Sequence, residues 1–211
     1  MRPALFRDLG IVGALLALLA CVLVTAPLRV DGLPGSTVKI LAGGGHGSGV
    51  HIGEGYIISA AHVMGEGMRV KLDNGEEQDI ELLWANKAHD IALLRTKPTM
   101  QASSLDCRVA HVGESVLAKG NPIALEFVSA WGVVSGRERE IGPWKRALPL
   151  DAAIVMGMSG GPSFGSDGRV IGINVGVMVA ALGGMYPSLT GFGFMIPAAA
   201  VCELMGKRAL A

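Results

Sequence analysis

The sequence predicts an all-β chain: two small β-barrels in succession, with a membrane-spanning helix before them and a short helix after them. Three observations predict it. From Val38 onward, short apolar runs of strand length alternate with turn signals, the pattern of sandwiches and barrels. Glycine is abundant, 31 of 211 residues, while aromatics make up 5%, a balance that favours tight turns over long helices. Residues 9–28, "LGIVGALLALLACVLVTAPL", carry no charge.

The elements follow in that order. Residues 1–29 read as a cytoplasmic tail and signal-anchor transmembrane helix, because a helix of that apolar run is about 30 Å long and suffices to cross a bilayer. Arg2 and Arg7 before the run, against Arg29 after it, place the N-terminus in the cytoplasm and the bulk of the chain on the periplasmic or extracellular side. A cleaved signal and a lipoprotein signal are the alternatives. Pro27 disfavours cleavage after Ala26, and the residues after Cys21 stay apolar. Residues 30–37, "VDGLPGST", form a linker. Residues 38–110 are assigned to the first barrel, where Asn74-Gly75 between apolar flanks signals a type I′ hairpin. Residues 111–198 make the second, with Ser166-Asp167-Gly168 as a further turn. The Ala, Leu, Glu and Met content of the last stretch sets a C-terminal helix at 199–211.

Composition excludes several functions. Lysine plus arginine equal aspartate plus glutamate at 18 each and no block of like charge stands out, so nucleic acid is not an expected partner. No Cys-x-x-Cys or His-x-x-x-His spacing exists, so no metal is expected, and no cofactor is called for. Cys21 lies in the apolar run, which leaves Cys107 and Cys202 either as a pair in an oxidising compartment or as two buried thiols.

The chemistry centres on "AIVMGMSGGPSFG", residues 153–165, where Ser159 stands among glycines. The Gly-x-Ser-x-Gly spacing matches the nucleophile elbow of α/β-hydrolases, but those run Ser, acid, His along the chain. No histidine follows Ser159, so that reading fails. The order His, Asp, Ser remains. "SAAHV" offers His62 at the end of the apolar strand "YIIS", and "HDIALL" offers Asp90 at the start of another. A serine hydroxyl is a weak nucleophile until a base takes its proton, and the base needs a carboxylate to orient it.

"GSGVHIGEGYIISAAHV", "DIALLR", "GNPIAL", "DAAIVMGMSGGPSF", "VIGINVG" and "GFGFMIP" occur in the order found in trypsin-like serine proteases, and the chain resembles their HtrA (Deg) branch over about residues 38 to 200. The resemblance implies a chymotrypsin/trypsin-like double β-barrel. It implies His62 as general base, Asp90 as orienting carboxylate and Ser159 as nucleophile, with an oxyanion hole from the N–H groups of Gly157 and Ser159. Gly160, Gly161 and Pro162 would keep the approach to the serine open. Where trypsin carries the aspartate that selects basic side chains, this chain has Ala153, which implies an uncharged pocket for small or medium apolar side chains. Val175, Gly176 and Val177 match the segment that pairs with substrate as an added strand. The resemblance also favours a Cys107–Cys202 bridge from the segment between barrels to the C-terminal helix. The chain's end soon after the second barrel is taken to leave no PDZ domain.

Two departures stand near the site: Met158 replaces the usual Asn or Asp before the nucleophile, and Ser59 replaces a Thr or Asn near the histidine. Of the other histidines, His46 in "GGGHGSG" reads as a solvated loop residue, His51 and His111 as barrel-surface side chains, and His89 as facing away from Asp90. Ser163 reads as structural and "RERE", 137–140, as a solvated hairpin. The expected function is a membrane-anchored serine endopeptidase acting on unfolded or extended polypeptides, with homo-oligomerisation left open. The rivals are a latent or inactive trypsin-fold binding module at the membrane, and a non-proteolytic acyl hydrolase, which residue order and the double barrel disfavour.

Overall fold

Ile57, Ile58, Ile91 and Leu94 are wholly excluded from water. Each such aliphatic side chain contributes about 1.5–3 kcal/mol by burial, and strands that carry them are drawn inward from both faces. A computed structural model describes residues 35–98, 100–181 and 187–206. The first sheet is antiparallel and holds Thr37–Ala42 (β1), Gly45–Gly53 (β2), Tyr56–Ser59 (β3), Arg69–Lys71 (β4), Glu77–Asp79 (β5), Glu81–Asn86 (β6) and Ile91–Arg95 (β7). Their order is β5-β4-β1-β2-β3-β7-β6. The second holds Ser115–Gly120 (β8), Val128–Val133 (β9), Arg139–Ile141 (β10), Trp144–Leu150 (β11), Pro162–Phe164 (β12), Val170–Ala181 (β13) and Pro187–Pro197 (β14), in the order β10-β11-β14-β13-β12-β8-β9.

Three apolar clusters hold these sheets. Val38, Ile40, Ile57, Val70 and Leu94 fill the first, and Val116, Leu148, Leu150, Met158 and Met195 the second. The third joins them: Val50, Ile58 and Ile91 from the first sheet meet Phe164, Ile173, Val175 and Phe194 from the second. Helix α1, Ala198–Leu204, buries Ala198 to Cys202 and adds Ala200 and Val201 to this seam. Cys202 is bonded to Cys107 across 95 residues of sequence. In the chain-entropy model a loop of about 100 residues closed this way is worth about 4.7 kcal/mol.

The architecture is thus an all-β trypsin-like fold of two sheets with a short helix, and the expected transmembrane helix is corrected. Among the described residues no helix is long and apolar enough to cross a membrane, and residues 1–29 lie outside the described residues.

Two local expectations also change. The turn at Asn74-Gly75 is not type I′, which needs positive φ at both central residues. Gly75 N–H donates to Leu72 O at 3.0 Å, and Gly75 alone has positive φ, 86°. This is a type I turn closed by a left-handed glycine, with Asn74 Oδ1 accepting from Glu76 N–H. The Ser166–Gly168 turn repeats the device: Gly168, φ 76°, donates to Gly165 O, and Asp167 Oδ1 accepts from Arg169 N–H. His51 is the second case. It is 2% exposed because its ring spans two backbone groups, Nδ1 to Gln101 O at 2.9 Å and Nε2 accepting from Gly55 N–H at 3.1 Å. It braces a strand end and does not face solvent, whereas His111 is exposed.

Candidate active site

Asp90 stands immediately before β7, whose residues Ile91–Leu94 are buried and fix its position. Its backbone is left-handed, φ 54°, a conformation that costs free energy for a non-glycine residue and collects at functional sites. The side chain is 11% exposed and its carboxylate is surrounded by donors. Oδ1 accepts from His62 N–H at 2.9 Å, and Oδ2 from His62 Nδ1 at 2.7 Å and from Trp144 Nε1–H at 2.9 Å. Burial pushes the Asp90 carboxyl up, but the hydrogen bonds from His62 and Trp144 outweigh it and hold the group below the usual carboxylate range. Asp90 is therefore ionised at neutral pH. An ionised acceptor at Nδ1 makes that nitrogen the donor and leaves the lone pair on Nε2.

His62 lies in a one-turn 3-10 helix, Ala61–Val63, directly after β3. Ala61 N–H donates to Asp90 O at 3.1 Å, so backbone and side chain of the two residues are tied together. The imidazole keeps 48% of its surface in contact with solvent, which leaves its outer edge free to meet a ligand.

The Ser159 loop is built on backbone, and the glycines show why. Met158 N–H donates to Val155 O at 3.1 Å and Gly157 has φ 92°, a type II turn with glycine where positive φ is required. Met156 O accepts from Ile123 N–H at 3.0 Å. Because the C=O and N–H of a trans peptide point to opposite sides, this bond turns the Gly157 N–H away from the 121–127 segment. Among the described residues neither Gly157 N–H nor Ser159 N–H has an acceptor. Such a donor pair is what a developing oxyanion needs. The flanking carbonyls are occupied: Ser48 Oγ donates to Gly157 O at 2.7 Å and Ser48 N–H to Ser159 O at 2.8 Å.

Gly160 and Gly161 serve packing and not open approach. A Cβ on Gly160, φ 85°, would sit 2.2 Å from Ser48 O and 2.2 Å from Ser59 Oγ, and one on Gly161 2.2 Å from Lys119 O. The loop is pressed against strands of both sheets. Ser59 donates to Ser48 O at 2.7 Å, and its short side chain leaves room for the Gly160 backbone. Ser159 Oγ donates to Val175 O at 3.4 Å, longer than a usual hydroxyl bond. Among the described residues no hydrogen bond joins it to the His62 ring. A hydroxyl so loosely held turns easily, and such contacts tighten in ligand complexes.

The residues expected to face substrate fall into two places. Val175 lines a cavity of 490 Å³ with His62, Asp90, Lys87 and Trp144. Ala153 is exposed and lines a separate apolar cavity of 600 Å³ with Val155, Met158 and the 122–131 segment. Ala153 and Val175 therefore do not share one pocket. Strand β12 pairs with β13 no further than Ile173, while Gly176 and Val177 pair with β14 on the other side. Asn174 O accepts from Gly160 N–H and Asn174 N–H donates to Gly161 O, so the edge of β13 that can take an extended peptide begins beyond Asn174.

Three residues bear on the site although their side chains carry no triad signature. Ser48 holds both carbonyls beside the donor pair and accepts from Asn121 N–H and Nδ2, each at 3.0 Å. Asn121 falls in the "GNP" run but its role depends on this pairing. His46, expected in solvent, is half-buried with Nε2 2.8 Å from Asn121 O and 2.7 Å from where a Gly157 Cβ would lie. Among the described residues no cluster could hold a metal ion. Ser48→Ala is expected to lower stability by about 1–3 kcal/mol, the cost of leaving buried donors unpaired, as read by urea unfolding.

A family model described as the trypsin-like peptidase domain matches residues 47–173. A probable periplasmic serine endoprotease, DegP-like, of Brucella suis is 34% identical over 170 residues, 76% of this chain and 32% of that protein. The chain thus spans about a third of the length of that relative. Among solved structures, a serine endoprotease from Yersinia pestis superposes with a TM-score of 0.70 at 29% identity, covering 82% of this chain and 62% of that one. An HtrA-type protease, AlgW, with a tripeptide gives a TM-score of 0.73 at 27% identity, covering 82% and 59%.

Proposed function

Since the chain belongs to the trypsin-like serine endopeptidases of the HtrA/DegP family, we propose that His62, Asp90 and Ser159 are its catalytic triad and that it cleaves unfolded or extended polypeptides through an acyl-enzyme. The carrying observation is the ionised Asp90 bound to His62 Nδ1 alongside a free N–H pair at Gly157 and Ser159. In this reading His62 Nε2 takes the Ser159 proton as Oγ attacks the peptide carbonyl. The two N–H groups receive the oxyanion. His62⁺, held by Asp90, then protonates the leaving amine, and water repeats the sequence to release the acid product.

Substrate enters as a strand on the free edge of β13 at Val175–Val177, which binds backbone and asks little of sequence. The apolar cavity bearing Ala153 suits an apolar side chain. The periplasmic naming of the relatives and the Cys107–Cys202 bond, of a kind that persists in oxidising compartments, support action outside the cytoplasm. The expected membrane anchor, with membrane as a partner and a single-pass topology, is corrected: among the described residues no helix is long and apolar enough to cross a membrane, and the relatives are named as periplasmic serine endoproteases.

A fluorophosphonate probe on the full chain tests the proposal. The expected result is labelling at Ser159 that disappears in Ser159→Ala, together with casein cleavage. A folded wild-type chain that neither labels nor cleaves would be a binding module instead.

A further inference from the structure

The Asp90 carboxylate carries a third donor from outside the triad. Trp144 begins β11 and sends its indole N–H to Oδ2, the same oxygen that accepts from His62 Nδ1. Among the described residues the donors to this side chain are His62 N–H, His62 Nδ1–H and Trp144 Nε1–H. Val175, which lines the same cavity, has no hydroxyl to offer.

The ring is held in place. A Cβ on Gly176 would lie 2.5 Å from Trp144 Cη2, so the missing side chain in β13 is what admits the indole. Phe194 of β14 packs beside it with centroids 5.6 Å apart and planes tilted by 42°. A donor locked by packing on two strands needs no reorganisation to serve a reacting group.

We infer that Trp144 is a positioning residue of the relay: its indole N–H, seated by Gly176 and Phe194, fixes the plane of the Asp90 carboxylate and so the aim of His62. The inference rests on the triad reading proposed above. Removing the N–H leaves Oδ2 to His62 alone. The carboxylate then keeps only its two bonds from His62, and the base is aimed less well. The charged and titratable groups facing Asp90 are His62, from the turn after β3, and Lys87, from the turn before β7, which lines the same cavity.

Two replacements in the full chain test this: Trp144→Phe, and benzothienylalanine encoded at 144, which keeps the shape of the indole and loses only the N–H. Acylation by the fluorophosphonate is expected to slow by about ten- to a hundred-fold, the range for a hydrogen bond to a charged group. On a peptide substrate kcat falls with KM nearly unchanged in the isostere. In proton NMR the Trp144 indole N–H should shift between the wild-type chain and Asp90→Asn. A folded isostere with wild-type acylation and wild-type kcat overturns the inference, as does an indole signal indifferent to Asp90→Asn. A wild-type chain that does not label overturns the triad reading and the inference with it; that outcome is recognised because the first two leave the wild-type chain labelled.

Discussion

Ser159→Ala and His62→Ala are each expected to lower kcat by about 10⁶-fold, and the double variant by no more than either alone, because nucleophile and base act as one unit. Without its base the Ser159 hydroxyl is a poor nucleophile, and without the serine the base has no proton to take, so the second loss removes nothing further. The residue of activity, about 10³–10⁴ over water, would come from the donor pair and binding. The fold should survive both changes. His62 keeps half its side chain in solvent, and among the described residues the Ser159 hydroxyl makes only the long bond to Val175 O. Steady-state kinetics on a chromogenic peptide, with unfolding curves of all three variants, read the outcome. Multiplicative losses in the double variant would mean that the two residues act independently.

The second large effect is expected at Gly157→Val. The position has φ 92°, and a Cβ there would meet Asn121 O at 2.2 Å and His46 Nε2 at 2.7 Å. A β-branched residue is strained in that conformation and has no space, so the turn is driven toward type I and the Met156–Gly157 peptide rotates. Its N–H then leaves the position from which it could stabilise an oxyanion. Loss of one such donor costs about 2.7–4 kcal/mol of transition-state stabilisation, about 10²–10³ in kcat. KM should change far less, since the open edge of β13 is untouched. A variant whose kcat stays near wild type would remove Gly157 from the proposed oxyanion hole.

The parts of this protein legible in the sequence are those written in local pattern. Apolar runs between turn residues announce an all-β chain, and a serine among glycines announces a crowded backbone. What escaped notice depends on partners remote along the chain. Trp144 is an ordinary aromatic at a strand start until Asp90 Oδ2 is found 2.9 Å from its indole nitrogen. His46 sits in a run of glycines that reads as a loop, yet most of the run is β2, and its ring reaches Asn121 O. His51 alternates with apolar neighbours as a surface residue should, but Gln101 O and Gly55 N–H satisfy its ring inside the protein. The sequence suggests Gly160 as clearance for substrate; the atoms it clears belong to Ser48 and Ser59. In each case the deciding contact joins segments whose proximity only the packed sheets create.

The seam between the sheets has a consequence for the making of the protein. His62 and Asp90 belong to the first sheet's segments, while Ser159, the Gly157 turn and Trp144 arrive with the second, and Ser48 must reach across to hold the turn. A nascent chain that has folded only its first sheet carries the proposed base with no proposed nucleophile to activate. On that reading cutting power comes into being only with the finished molecule, and a half-made copy cannot digest its neighbours during synthesis.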